Sequence, residues 1–207
     1  KDFHKLALHL SKDYRVISVD IRGRGQSQWN KRASRYNPGQ YVRDVWTLLD
    51  QLQLQQVIVI GTSLGGLMAM IMADQQAERV RAVILNDIGP ELPLAAVQRI
   101  LAYAGRALPA QNWEEAATQA RTAYEFALPH MPEEFWHEFV QLAYRENEAG
   151  KPEPDMDPAI GTVLRNPPFY VRLLQWLHRR GWIKRVAGAY LDPWDSFRAM
   201  TMPCLLV

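Results

Sequence analysis

One stretch of sequence constrains the fold of this chain more than any other. Val57–Ile60 is an unbroken β-branched run, which predicts a buried strand, and an apolar helix is predicted from Leu64 to about Gln75. Between them stands Gly-Thr-Ser-Leu-Gly, in which Ser63 has a glycine two positions away on either side. A sharp turn from a strand directly into a helix is typical of sheets whose strands are connected by helices. The stretch therefore predicts an α/β fold.

The same alternation of strand and helix continues on both sides of this stretch. Arg15–Asp20 and about 81–86 are predicted to be two more buried strands, and an apolar stripe from Val42 to Leu52 predicts a helix. Strands separated by helices of about 10–16 residues are typical of right-handed crossovers between parallel strands. We therefore predict a doubly wound, mostly parallel sheet that is covered by helices on both faces.

The pattern changes after residue 89. Residues 90–193 hold most of the chain's 13 prolines, and their apolar residues recur at helical spacing. We predict an α/β core over 1–89, an inserted all-helical cap over 90–197, and a return to the core over 198–207 as a further strand. The predicted cap helices are an apolar stripe at 97–104, a helix capped by Asn112 with Glu115, a helix from Pro132, one at about 169–177 and a short one after Asp192.

The turn at Ser63 has the features of a nucleophile elbow. A serine there is held in a strained backbone conformation, and we expect side chains at positions 61 and 65 to collide with the neighbouring chain, which explains both glycines. The turn exposes the hydroxyl, and the start of the helix offers N–H groups that favour an oxyanion. We predict Ser63 as a nucleophile and the backbone N–H of Leu64 as one oxyanion donor. Glycines that merely let a strand and a helix pack tightly are the alternative explanation.

Two further motifs carry a resemblance to a known family. Asp20–Ser27 has the pattern D-x-R-G-x-G-x-S, and Asn86–Pro90 is a turn between a predicted strand and the predicted cap. Together with the elbow, these motifs resemble the α/β-hydrolase fold, and the chain is similar to capped serine hydrolases of bacterial type over its whole length. The resemblance implies that the chain runs from helix A through strands four, five and six, the cap and strand seven.

The resemblance also implies where the other catalytic groups stand. The family order is Ser, then Asp or Glu, then His, with the acid after strand seven and the histidine after strand eight, which places both beyond Val207. The second oxyanion N–H is expected before Lys1. The chain begins without Met and ends in an apolar run, so we expect it to be part of a longer protein. Surface or packing positions are expected for its five histidines: His4, His9, His130, His137 and His178.

Asp87 is a second candidate for the acid. Some members of the family place the acid after strand six, where Asp87 stands, and sites in α/β proteins are built at the carboxyl ends of strands. The alternative, which we favour, is that Asp87 caps the turn that leads into the predicted cap.

Several other features are assigned structural roles. Gly23–Gln28 lacks the third glycine and the following helix of a dinucleotide site, so nucleotide binding is not expected. The resemblance implies that this loop braces the top of the sheet and lines the pocket, with structural roles for Arg22 and Gly25. The alternating carboxylates of residues 152–158 are interspersed with prolines, so a solvated loop is favoured over a calcium site. Cys204 is expected to be a buried small hydrophobe. The cap aromatics are expected to form the cap's own core and an apolar pocket: Trp113, Tyr124, Trp136, Tyr170 and Trp176.

Composition narrows the range of partners. With 24 Lys+Arg against 22 Asp+Glu, both interspersed, the sequence has no basic surface for nucleic acid. No apolar run approaches the ~20 residues needed to span a bilayer. One cysteine excludes an internal disulfide, and we predict a soluble cytoplasmic protein. No metal or organic cofactor is implied, and the expected partner is a small molecule with an apolar acyl or aromatic group.

These features together predict a serine hydrolase that cleaves a carboxylic ester, thioester or lactone through an acyl-Ser63 intermediate. Carbon–carbon hydrolysis, acyl transfer and cofactor-free haloperoxidation use similar elbows and stay open. An epoxide hydrolase or haloalkane dehalogenase is disfavoured, because those enzymes of the same fold have an Asp where Ser63 stands. The competing class is a non-catalytic member of the fold that binds a ligand or serves as a scaffold. The 207-residue chain alone is expected to be inactive.

Overall fold

The computed structural model describes residues 3–91, 109–126, 128–166, 172, 176, 180 and 193–207. The helices described there are α1 (His4–Leu10), α2 (Pro38–Gln51), α3 (Leu64–Gln75), α4 (Trp113–Tyr124), α5 (Glu133–Ala143), α6 (Ala159–Arg165) and α7 (Pro193–Ala199). The strands are β1 (Val57–Thr62), β2 (Val80–Asn86), β3 (Tyr144–Glu146), β4 (Pro152–Pro154) and β5 (Cys204–Leu206). Short 3-10 turns stand at Ala33–Arg35 and Ala77–Arg79.

The chain divides into two compact units. One, which we call the helical unit, comprises Lys1–Lys31 and Leu101–Leu164, and the other, the sheet unit, comprises Arg32–Ile100 and Arg165–Val207. The domain limits predicted after residues 89 and 197 stay a prediction.

A three-stranded parallel sheet lies at the centre of the sheet unit. Strand β2 lies between β1 and β5 and pairs in parallel with both, with Thr62 opposite Asn86 in the first pair. Helix α3 connects β1 to β2 and packs against both strands, α2 and α7. Because α3 is apolar on nearly every face, it is buried along Met68–Ala73 rather than along one stripe. The predicted α/β class is confirmed.

Side chains fix where the helices begin and how they join the sheet. Asn37 caps α2, since its Oδ1 accepts the N–H of Gln40 at 2.9 Å, and Pro38 fits the first helical position. Before β2, Arg79 donates to the carbonyl of Leu54 at 2.9 Å and lies over the ring of Trp46 at 4.6 Å. These contacts tie α2 to the start of β2.

Helices α4 and α5 form the core of the helical unit. Asn112 caps α4 as predicted, with its Oδ1 accepting the N–H of Glu115 at 2.9 Å. The reciprocal bond of the capping box is displaced by one residue, because the Glu115 carboxylate accepts the N–H of Gln111. The buried residues of the two helices and their neighbours form one apolar cluster: Ala110, Ala116, Ala117, Ala120, Trp136, Val140 and Tyr144.

A short hairpin corrects the prediction of a solvated loop at residues 152–158. Strand β4 pairs antiparallel with β3, and the Arg145 guanidinium contacts Glu153 at 3.0 Å and Asp155 at 4.0 Å. The carboxylate of Asp157 is buried and accepts the N–H of Ala159 at 2.9 Å. These carboxylates are thus partners within the fold, because a nearby arginine and a helix start neutralise them.

Two further predictions about burial and secondary structure are wrong. Arg15–Asp20 is not a strand: no described strand pairs with it, and Val16, Ile17 and Val19 are exposed. The β-branched residues favour an extended backbone locally, but a β-strand also requires a neighbouring strand to pair with. Cys204 is exposed, because β5 pairs on one side only among the described strands. The helices predicted at 97–104 and 169–177 lie outside the described residues.

Candidate active site

Ser63 stands at the turn between β1 and α3 in a strained backbone conformation. Its φ of 49° and ψ of −113° lie in a region that side-chain-bearing residues rarely adopt, and the residue is exposed. The turn is held on both sides: the Ser63 N–H donates to the carbonyl of Asn86 at 3.1 Å, and the Ser63 carbonyl accepts the N–H of Leu67 at 3.0 Å. The fold therefore keeps Ser63 at the carboxyl edge of the sheet in one backbone geometry.

The two glycines of the elbow have different reasons to be glycine. A Cβ built on Gly61 would stand closer than 3.0 Å to three backbone atoms of Gly65 and Gly66, so no side chain fits there. A Cβ on Gly65 would meet no described atom within 4 Å, so the predicted collision at position 65 is wrong. The second tight position is Gly66, whose Cβ would collide with the side chain of Ile88.

The same turn determines which backbone N–H groups are available to stabilise an oxyanion. The N–H of Ser63 is engaged with the carbonyl of Asn86, which leaves the start of α3 as the local source of donors. Leu64 is the first residue of α3, and N–H groups of a first turn have no acceptor within their own helix. This placement is consistent with the prediction that the Leu64 N–H holds an oxyanion, which stays a prediction.

A side-chain pair next to Ser63 was not predicted from the sequence. The amide Nδ2 of Asn86 donates to the Oγ1 of Thr62 at 3.1 Å, across the last residues of β1 and β2. The sequence shows a polar residue at the end of each of two predicted strands, but the register seen in the structure is needed to bring the two face to face. Asn86 therefore contacts the elbow twice, through its carbonyl and through its amide.

Asp87 lies at the same carboxyl edge as Ser63, directly after β2. It is exposed, its φ is 52°, and its N–H donates to the carbonyl of Val207 at 2.9 Å. Asp is one of the residues that tolerate this left-handed conformation, which agrees with a turn-forming role. Its role as the catalytic acid stays a prediction.

The described histidines lie in the helical unit, whereas Ser63 lies in the sheet unit. His4 and His9 lie on α1, His130 lies in a turn, and His137 on α5 faces Glu114 at 3.6 Å, all in the helical unit. His178 lies outside the described residues. The described part of the sheet unit, which contains Ser63, therefore contains no histidine.

Other groups that sequence motifs could connect with catalysis have contacts that indicate structural roles. Although Cys204 is exposed, partial desolvation by its neighbours raises the pKa of its thiol, which disfavours the thiolate that a cysteine nucleophile requires. In the glycine-rich loop, the Asp20 carboxylate accepts the N–H of Gln26 at 3.1 Å, and a Cβ on Gly25 would collide with that carboxylate. Trp136 lies in the core of the helical unit as predicted, and Trp113 and Tyr124 pack against that core. Trp176 is exposed, so its predicted place in an apolar core is wrong, and Tyr170 lies outside the described residues.

The fold and the elbow together define a hydrolase of the α/β class. The family model described as the alpha/beta hydrolase fold matches residues 1–199. The chain belongs to the α/β-hydrolase family, and both the predicted family and the predicted enzyme class are confirmed. No helix of the described ranges is long and apolar enough to cross a membrane.

Three similar proteins illustrate the range of the family. The 3-hydroxybutyrate-oligomer hydrolase of Cupriavidus necator is 33% identical over 207 residues, which are 100% of this chain and 67% of that protein. The 2-hydroxymuconate semialdehyde hydrolase of Pseudomonas sp. is 38% identical over 91 residues, 41% of this chain and 30% of that protein. A crystal structure of an α/β hydrolase from Novosphingobium aromaticivorans has a TM-score of 0.82 at 31% identity, covering 99% of this chain and 66% of that one.

Proposed function

We propose that the protein is a serine hydrolase that cleaves carboxylic esters through an acyl intermediate on Ser63. The observation that carries the proposal is the exposed, strained Ser63 at the end of β1 and the start of α3. Such a turn is costly for a serine and is retained where a nucleophile has to project from the sheet. A thioester or a lactone presents the same carbonyl and belongs to the same class of substrate.

The proposed reaction has two steps. The Oγ of Ser63 attacks the carbonyl carbon, a base takes the hydroxyl proton, and the bond to the leaving oxygen breaks as that oxygen takes the proton. Water then attacks the acyl carbon and releases the acid and free Ser63. The N–H of Leu64 stabilises the oxyanion in both steps. The chain spans 67% of the Cupriavidus relative, and we propose that the histidine base and the orienting acid come from the remainder of the whole protein.

A short oligoester of hydroxy acids is the substrate class that we favour. The support is the similarity to the 3-hydroxybutyrate-oligomer hydrolase, which extends over the whole chain. The second candidate is hydrolysis of a carbon–carbon bond, favoured by the similarity to 2-hydroxymuconate semialdehyde hydrolase over 41% of the chain. Both reactions start at a carbonyl carbon, so the elbow itself serves either.

The nucleophile is tested by covalent labelling of the full-length protein with a fluorophosphonate. We expect labelling of the wild type and none of Ser63→Ala. Ser11→Ala is the matched control, because Ser11 is also exposed and its hydroxyl only donates to the carbonyl of Leu8. Undiminished labelling of Ser63→Ala would refute the assignment, and an unlabelled wild type would favour the non-catalytic alternative.

The substrate class is tested with a panel of three compounds. We expect the protein to release 3-hydroxybutyrate from its linear dimer and p-nitrophenol from a short-chain ester. We expect no product from a vinylogous diketone of the ring-cleavage type. Turnover of the diketone alone would replace the ester assignment by carbon–carbon hydrolysis, while labelling at Ser63 would be unaffected.

A further inference from the structure

The helical unit brings three side chains with metal-ligand atoms together at its surface. Glu114, Glu133 and His137 each offer one ligand atom, and these atoms lie within 4.8 Å of one another. The imidazole Nε2 of His137 is 3.6 Å from a carboxylate oxygen of Glu114. Two carboxylates and an imidazole are thus gathered from two helices into one cluster, which we call the Glu-Glu-His cluster.

Helix packing fixes the backbones of the three residues before any ligand arrives. Glu133 and His137 are four residues apart on α5, so their side chains share one face of that helix. Glu114 is in the first turn of α4, and α4 packs against α5 through the buried cluster that contains Ala117 and Trp136. Because the packed core fixes the backbone positions of all three ligands, binding a metal here requires rotation of side chains but no rearrangement of the helices.

The charge balance of the cluster also favours a cation. Two carboxylates at this separation repel each other, and among the described contacts only His137 approaches Glu114 as a possible counter-charge. Two cations of the same unit have carboxylate partners outside the cluster: Arg121 pairs with Glu125, and Lys5 pairs with Glu138. A divalent ion would neutralise both carboxylates at once.

We propose that the Glu-Glu-His cluster is a binding site for a late first-row divalent metal, of which Zn²⁺ is the test case. Imidazole nitrogen with carboxylate oxygen is a donor set that zinc accepts, whereas calcium and magnesium prefer oxygen alone. Tetrahedral zinc places its ligand atoms about 3.3 Å apart, a contraction that the two exposed glutamates and the partly exposed histidine reach by rotation. The ion would bridge α4 and α5 in the helical unit, whereas the proposed ester chemistry belongs to Ser63 in the sheet unit.

The test is a calorimetric titration of the untagged full-length protein with ZnCl₂ after treatment with EDTA. Every protein carries Cys204→Ser, because the exposed thiol is itself a zinc ligand. Since loss even of an outer-shell partner weakens metal sites 10–100-fold, we expect His137→Ala and Glu133→Gln to weaken binding at least about tenfold. The matched controls are His130→Ala and Glu134→Gln, which change the same residue types nearby without touching the cluster.

A second readout separates a bridging site from loose surface binding. Zinc that bridges α4 and α5 should raise the Tm of the wild type and of both controls, but not that of His137→Ala. Circular dichroism confirms that each variant is folded, which is expected because all three ligands lie at the surface. Equal zinc affinity in all five proteins, or equal affinity of the wild type for Ca²⁺, would overturn the proposal.

Discussion

Replacing Gly61 by Ala tests the elbow more sharply than removing the serine, because a neighbouring glycine provides a matched control. A Cβ on Gly61 stands closer than 3.0 Å to backbone atoms of Gly65 and Gly66, and backbone cannot rotate away as a side chain can. A Cβ on Gly65 meets no described atom within 4 Å. The two substitutions add the same methyl group to opposite sides of Ser63.

The expected magnitudes differ in sign as well as in size. Overpacking of a core usually costs about 1–3 kcal/mol, and three simultaneous backbone clashes place Gly61→Ala at or above about 3 kcal/mol. Gly65 lies in the first turn of α3, where Ala is a better helix former than Gly by roughly 0.5–1 kcal/mol. Gly65→Ala is therefore expected to be neutral or slightly stabilising.

The assay combines denaturant unfolding with ester hydrolysis in the full-length protein. Gly61→Ala should lower the unfolding midpoint, and any folded enzyme should lose about 100-fold in kcat, because a displacement of about 1 Å misplaces the nucleophile. Gly65→Ala should keep both values close to the wild type. If both variants behave alike, the clash geometry at Gly61 does not explain the motif and the account of the elbow is wrong.

Three further predictions address the surroundings of the elbow and the two units. Thr62→Val and Asn86→Ala each remove the side-chain hydrogen bond next to Ser63, and we expect both to slow acylation with KM little changed. A double-mutant cycle should give a coupling energy of about 1 kcal/mol between the two residues. If the two effects are fully additive, the hydrogen bond does not support the nucleophile. Arg79→Ala should lower the free energy of unfolding by about 2 kcal/mol, because it removes the hydrogen bond to the Leu54 carbonyl and the contact with the Trp46 ring. Asp50→Ala removes only the ion pair of Arg79 with an exposed carboxylate and should cost less than about 0.5 kcal/mol. Equal losses in the two variants would contradict this assignment. Burial raises the pKa of Tyr144 above its ordinary value of 10.0, so the folded state holds the phenol proton more tightly than the unfolded state does. The stability of the folded protein is therefore unaffected by this group below pH 10.0 and falls as the pH rises above it. Tyr144→Phe should therefore show a smaller drop in Tm between neutral and alkaline pH, and an unchanged drop would refute this cause.

The parts of the fold that are encoded locally could be predicted from the sequence. The β-branched run of β1, the apolar α3 and the turn between them agree with the structure. The cap at Asn112 acts over three residues, and its predicted position agrees with the structure. In each case the deciding contacts lie within a few residues of one another.

The errors have a common physical cause, which is dependence on distant neighbours. Arg15–Asp20 has a strand-like pattern but no described pairing strand. Cys204 is in a strand whose faces are exposed, so its apolar neighbours did not imply burial. Gly65 appeared constrained because the motif is symmetric, whereas the close approach of the chain involves Gly61 and Gly66.

Only the part of the candidate site that depends on one short segment, Ser63 and its turn, was predicted from the sequence. Ser63 and its turn follow from five consecutive positions. The contact of Asn86 with Thr62 depends on the register between β1 and β2, which the sequence does not specify alone. The Glu-Glu-His cluster likewise depends on the packing of α4 against α5.

The covalent state of Ser63 during turnover tests the central claim most directly. The full-length protein is quenched in acid during hydrolysis of a p-nitrophenyl ester and digested with trypsin, and the peptide 44–79 is analysed by mass spectrometry. Ser63 is the only serine of that peptide, which lies between Arg43 and Arg79. We predict that the peptide gains the mass of the acyl group and that fragmentation assigns it to Ser63. Continued turnover by Ser63→Ala, or an acyl group on another residue, would contradict the account.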